Sequence, residues 1–209
     1  MTGILSKIRV VLIVGVSFLA LASIAFLLAV NLSPLLISFP HQLGMRPHAI
    51  LHAYGQLLLY LQLPGLKAPQ LGKLALSTSA THHFAMVKNY FMANEFLMVV
   101  TTVIAGWCLK RMKRRQQLWQ LLAPLQCLFT LIIVVLALVM VNFADLFIKS
   151  HYLLFHDMDW VLSPANDPII LLMPVSFFSN VFVLWWGLLL FFLVVLWCSI
   201  WFRTRFLKF

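Results

Sequence analysis

"KRMKRRQQLWQLLAPLQCLFTLIIVVLALVMVNFA", residues 110–144, decides how the whole chain is read. Lys110, Arg111, Lys113, Arg114 and Arg115 crowd its first six positions, and the 27 residues from Leu118 to Ala144 then carry no charge at all. A helix needs about 20 such residues to cross the hydrocarbon core of a bilayer. The run is therefore a membrane span, and the basic cluster marks the end that stays on the cytoplasmic side. Three further runs have the same character, which gives spans at approximately 10–31, 89–109, 118–144 and 179–202. The second carries one charge, Glu95 near its start, which belongs at an interface or against a polar interior. Composition agrees with lipid as the solvent. The 209 residues are 63% hydrophobic and 10% charged, where a soluble domain carries about 25% charged residues.

Four crossings divide the charges unequally. Lys7, Arg9, the five basic residues of the quoted stretch, Arg203, Arg205 and Lys208 all fall on one side. That side is cytoplasmic, with both termini on it. The other side receives Arg46, Lys67, Lys73, Lys88 and Lys149, together with every Asp, Glu and His. The net charge of +10 is thus a topology signal with anionic-lipid contact, and no nucleic-acid partner is expected. The apolar stretch of the first run exceeds that of a cleaved signal and lacks an A-x-A site, so it is read as a retained span. Cys108, Cys127 and Cys198 lie within or at the ends of spans, which leaves neither a disulfide framework nor a zinc pattern. The expected fold is an all-α membrane protein, one integral domain over 1–209, whose four transmembrane helices carry a small extracytoplasmic cap built from two outer segments, 32–88 and 145–178.

Within the first outer segment, "SPLLISFPHQLGMRPH" is broken by Pro34, Pro40, Gly44 and Pro47 and reads as irregular chain. "AILHAYGQLLLYLQLPG" has helical spacing and stops at Pro64–Gly65, which predicts a short interfacial helix. "LGKLALSTSATHH" has room for one brief strand, and its "STSAT" offers N-cap residues for a helix that leads into span two. Span three is expected to continue as "NFADLFIKSHYLLFH", where Phe143, Phe147, His151 and Phe155 recur every fourth residue as one helical stripe. A histidine within a phenylalanine stripe is either an interfacial imidazole or a polar group held where chemistry needs it. His41, His48, His52, His82 and His156 are read as ordinary interfacial residues.

Two stretches carry a resemblance. "HFAMVK", His83 to Lys88, resembles an H-F-x-D-V-K motif, with Met86 where the motif has Asp. Residues 147–178 resemble F-x-x-x-H-x-x-x-F, then W, P-x-x-D and P-x-x-F-F, through Phe147, His151, Phe155, Trp160, Pro164, Asp167, Pro174, Phe177 and Phe178. Upstream, Tyr54, Leu57, Tyr60, Leu61 and Pro64 match Y-x-x-L-x-x-Y-L-x-x-P. In order and spacing the set is similar to the lipoprotein intramolecular transacylases and the wider four-span membrane family around them. That resemblance implies an acyl shift on diacylated lipoprotein N-termini. The sn-2 chain of the diacylglyceryl-cysteine would move to the cysteine α-amine, leaving a lyso-form product, with membrane lipid as the surrounding partner. It implies His83 and His151 as the catalytic pair and no metal or other cofactor. The substrate would be bound by residues drawn from Lys88, Tyr54, Trp160, Asp167 and Phe155. His151, within the phenylalanine stripe, is the favoured base. Asp167 also reads as a turn-former or cap, and Lys88 as a snorkelling interfacial lysine. The other readings are a non-enzymatic scaffold or transporter subunit of the same fold, and a bis-histidine haem carrier. Against transport, the span centres carry no ionisable residue.

Overall fold

The structure is a computed structural model and describes residues 2–206; Lys208 of the basic set lies outside them. Six α-helices follow one another: α1 (Thr2–Leu32), α2 (Pro47–Gln62), α3 (Thr78–Arg114), α4 (Leu122–Val141), α5 (Phe143–Leu154) and α6 (Val175–Phe206). Short 3-10 turns at Ser33–Leu35, His41–Leu43, Leu118–Leu121 and Pro168–Leu172 complete the regular structure. Four segments are long and apolar enough to cross a membrane: Gly3–Leu35, Thr78–Arg114, Leu118–Val141 and Val175–Phe206. Helix is the form these runs must take, because lipid offers backbone N–H and C=O groups no partner outside the segment. At 37 residues, α3 extends about 55 Å and exceeds the hydrocarbon core by several turns.

Two expectations are corrected. No strand forms among the described residues: the segment before α3 instead turns, with the Leu74 N–H on the Leu71 carbonyl at 3.1 Å and Gly72 at φ +60°. The helix of span three also does not run through to His151. Asn142 leaves helical geometry (φ −143°, ψ 57°) and separates α4 from α5. Its carbonyl accepts the Leu146 N–H to start a new helix, with Asp145 in the first turn, where a carboxylate suits the positive end of the helix dipole.

The chain divides into two compact units. The first holds α1 up to Leu27, the stretch Glu95–Val141 and α6 from Trp185. Its core is Val10, Ile13, Val14, Met112, Leu121, Leu125, Ile132, Leu189, Leu193 and Ile200. Ser17, Ala20, Ser23 and Ala25 are buried on α1, small residues that allow helices to approach closely in lipid. The Trp185 indole donates to the Ala22 carbonyl at 2.9 Å and its ring meets Phe26 edge-on.

The second unit holds Leu28–Asn94 and Asn142–Leu184. Here α2 buries Ile50, Ala53, Tyr54, Leu57, Leu58 and Leu61, the i, i+3, i+4, i+7 stripe of an amphipathic helix. The Tyr54 hydroxyl meets Ser33 Oγ at 2.6 Å, and Ser33 in turn donates to the Val30 carbonyl, so the tyrosine is the donor. Burial pushes the Tyr54 hydroxyl up to about 12, which keeps it a neutral donor at any physiological pH.

Helix α3 ends in a Schellman closure: the Gln117 N–H reaches the Met112 carbonyl at 2.9 Å and the Gln116 N–H reaches that of Lys113 at 3.0 Å. Gln116 sits at φ +55°, a conformation that costs an L-residue roughly 1–2 kcal/mol. Gln116→Gly is expected to raise stability by about 1 kcal/mol, read as a higher midpoint of thermal unfolding in detergent. Tyr54→Phe leaves Ser33 Oγ without its donor and is expected to lower stability by about 1–2 kcal/mol in the same assay.

Candidate active site

Ser77 fixes where α3 begins. Its Oγ accepts the Ala80 N–H at 3.1 Å, an N-cap, while its own N–H donates to Asp167 Oδ1 at 2.8 Å. Asp167 is 3% exposed. A buried carboxylate thus clasps the positive end of α3 from a position ninety residues on in sequence. That clasp sets the register of the next turns, and His83 lies in the second of them. His151 lies in the last turn of α5, where Phe155 closes the helix by donating its N–H to the His151 carbonyl at 2.8 Å.

The two imidazoles face each other with ring centroids 6.2 Å apart and planes inclined by 32°. Aromatic rings enclose them. Phe155 stands 4.6 Å from His83 and 5.5 Å from His151. Phe147 lies 4.4 Å and Trp160 5.1 Å from His151. Tyr90 steadies this wall, meeting Phe155 edge-on and donating its hydroxyl to the Leu154 carbonyl at 2.7 Å. The stripe foreseen in the sequence therefore exists, although it belongs to a helix of its own.

The two rings differ in their hydrogen bonding. His151 Nδ1 is 2.7 Å from the Phe147 carbonyl. A carbonyl can only accept, so that nitrogen carries the proton, and in the neutral ring Nε2 keeps its lone pair. His83 is 8% exposed, and its Nδ1 is buried without a hydrogen-bond partner among the described residues. A buried nitrogen left unpaired costs about 1–3 kcal/mol. Such a group in a native fold calls for an ordered water, a ligand or a chemical role.

Of the other residues singled out in the sequence, Phe155 and Trp160 join the histidines, and three do not touch them. Lys88 donates to the Leu66 carbonyl at 2.8 Å and lies 4.5 Å over the Tyr60 ring, so its charge is already engaged. Tyr54 is committed to Ser33, and Asp167 to Ser77. No carboxylate hydrogen-bonds to either histidine among the described residues: Asp145 pairs with Lys149 at 2.7 Å and Asp159 with His82 at 2.6 Å. His82 was read as an ordinary interfacial residue, yet it gathers both Asp159 and Asp157, the latter at 3.7 Å. Those three side chains offer ligand atoms within 4.8 Å of one another, an arrangement able to hold a metal ion, although 2.6 Å is the distance of a hydrogen-bonded pair. The His82 hydrogen bond holds the Asp159 carboxyl below its ordinary range. The sequence signal was the adjacency of His82 to His83 and the D-x-D spacing of 157 and 159.

What this arrangement can do is move protons between two imidazoles flanked by aromatic rings. One imidazole presents a lone pair, and the other is buried beside it with an unpaired nitrogen. Among the described residues, no serine or cysteine side chain hydrogen-bonds to either imidazole.

Comparison with known proteins points the same way. No curated protein matches the chain. Among solved structures, it is similar to the membrane-integral lipoprotein intramolecular transacylase Lit from Bacillus cereus, with 25% identity over 96% of this chain and 94% of that one, at a TM-score of 0.76. Two variants of that Bacillus cereus protein, with one histidine replaced by arginine or by alanine, match at 23% identity and a TM-score of 0.75. They cover 98% of this chain and 96% and 98% of theirs, respectively. The family model described as lipoprotein intramolecular transacylase Lit matches residues 4–178. This chain belongs to that family, and it is a membrane-integral acyltransferase.

Proposed function

We propose that the chain moves the sn-2 acyl chain of a diacylglyceryl-cysteine, at the N-terminus of a membrane-tethered lipoprotein, onto the α-amine of the same cysteine. The products are an amide and a free glycerol hydroxyl, the lyso-form. We read His151 as the base and His83 as its partner, at the outer face of a bacterial cytoplasmic membrane with both termini inside.

The facing pair of imidazoles in a ring of aromatics carries this reading. An α-amine has a reference pKa of about 7.7–8.0, so a fair fraction is neutral and nucleophilic near pH 7. As its nitrogen bonds to the ester carbonyl carbon, it must shed a proton, which His151 Nε2 accepts. The carbonyl oxygen becomes an oxyanion, and a donor N–H on His83 stabilises it. When the tetrahedral centre collapses, the bond to the glycerol oxygen breaks and that oxygen takes the proton from the His151 imidazolium, restoring a neutral pair. Ester and amine sit on one molecule, so binding has only to hold them in reacting geometry. The phenylalanines and Trp160 keep water from the ester, which would otherwise hydrolyse. Asp167 acts by positioning α3 and so His83. Lys88 acts by tying α3 to the Leu66 segment.

The reading is tested by mass spectrometry of lipoprotein N-terminal peptides from cells with and without this gene. The wild type should give a mass-neutral shift of one acyl group from oxygen to nitrogen, located by fragmentation. His151→Ala and His83→Ala should each lower its rate by roughly 10²–10⁴-fold while the protein stays folded and abundant. Unshifted acyl groups with abundant wild-type protein, or full activity in both variants, would refute it. Lys88→Met should leave the rate of the folded enzyme within a fewfold of wild type but lower the unfolding temperature. A collapse in rate with unchanged stability would move Lys88 into the chemistry.

A further inference from the structure

The unit that holds the basic residues contains a cleft the acyl shift does not use. Its volume is about 330 Å³, at the lower end of the range of small-molecule sites. From α1 it takes Arg9, Leu12, Ile13 and Val16; from α3 it takes Ile104, Trp107, Cys108, Arg111 and Met112; Arg115 and Gln117 follow just beyond the helix. The α1 positions are spaced i, i+3, i+4, i+7, and those of α3 continue the same rule to i+8, so each helix offers one continuous face. The polar groups gather at one end, because Arg9 Nη2 donates to Gln117 Oε1 at 2.9 Å, Arg111 stands in the last turn of α3, and Arg115 follows directly after the helix with its N–H on the Arg111 carbonyl at 3.2 Å. From there the lining turns apolar toward Val16 and Ile104.

We infer that this cleft binds an anionic phospholipid, its phosphate against Arg9, Arg111 and Arg115 and the start of one acyl chain along Leu12, Val16 and Ile104. Three observations favour that occupant. No carboxylate lines the cleft, and the one acidic residue of this unit, Glu95, stands about four turns from Arg111 along α3. The arginines therefore need an anion from outside. Arg9 Nε is buried with no hydrogen-bond partner among the described residues, although its Nη2 is bonded. That leaves a donor of a guanidinium, the group best matched to phosphate, without an acceptor. The Arg111 guanidinium lies 5.4 Å from the Trp107 ring centroid, which holds it at the polar end without neutralising it. A free phosphate or nucleotide would meet only the polar end and leave the apolar end unfilled. An amphiphile with an anionic head matches both.

Native mass spectrometry of the full chain in detergent tests this, with phosphatidylglycerol titrated against phosphatidylcholine of the same chains. Phosphatidylglycerol should be retained at least tenfold better. Arg9→Gln and Arg115→Gln should each weaken its retention about fivefold, the factor expected for one basic residue near an anionic headgroup. Val16→Phe, which fills the apolar end, should weaken it as well, while Lys110→Gln and Lys113→Gln, outside the cleft, should change it less than twofold. Inorganic phosphate in excess should fail to displace the lipid. The proposal is overturned if both lipids are retained alike, if phosphate competes, or if all the basic variants weaken binding equally, which would mean diffuse surface attraction. Since the readout is binding, it stands or falls independently of the acyl shift, and Val16→Phe and Arg115→Gln decide it should Arg9→Gln fail to fold.

Discussion

A bilayer interior has no water to hydrogen-bond a peptide group, and that constraint shapes everything else in this protein. Within the spans the answer is the α-helix, which satisfies its backbone internally. The difficulty returns wherever the chain leaves a helix, because each terminus presents N–H or C=O groups that need partners. At the start of α3 the Ser77 side chain serves one N–H, and the buried Asp167 carboxylate serves that of Ser77 itself. At its end, a Schellman closure through Gln116 does the same for the carbonyls. In the proposed mechanism the first of these matters for chemistry. His83 is as well placed as the N-terminus of the helix that carries it, and that terminus is held by a residue from the second outer segment.

The aromatic enclosure serves two ends with one set of residues. Phe147, Phe155 and Trp160 pack against the imidazoles, and in the proposed mechanism the same rings would limit the access of water to the proton transfer. A single backbone contact, Nδ1 of His151 to the Phe147 carbonyl, orients that ring and chooses its tautomer. In many enzymes a carboxylate does this. Here Met86 stands where the related motif has Asp, and Asp145 and Asp159 are each held by other partners. A carbonyl in the place of a carboxylate fixes the ring without adding negative charge beside it.

Charge is segregated along the chain, and the segregation carries information. The cluster around Arg111 reads first as a statement about topology. Yet side chains that satisfy a topology rule still have to point somewhere, and Arg9, Arg111 and Arg115 border one cleft that is apolar at its far end. Topology asks only that these residues be basic and on one side. Their common border on an amphiphilic cleft is a separate property of the fold.

Sequence alone determined the number of helices that cross the membrane, because uncharged runs of sufficient length have one outcome in lipid. It also determined the face that α2 buries, since Ile50, Tyr54, Leu57 and Leu61 follow helical spacing. A phenylalanine stripe and a short motif singled out two histidines whose rings the fold brings to within 6.2 Å of each other. Sequence did not reveal the break at Asn142, the absence of a strand before Thr78, or the engagement of Lys88 with Tyr60 and Leu66. Those outcomes depend on which neighbours the fold supplies. Nor did it reveal that His82 gathers two aspartates or that Asp167 clasps α3, because each contact joins residues more than seventy positions apart. Periodicity reports which face of a helix avoids water. Only tertiary structure decides which buried donor meets which acceptor, because a hydrogen bond requires two atoms within about 3 Å, and no one-dimensional pattern encodes that distance.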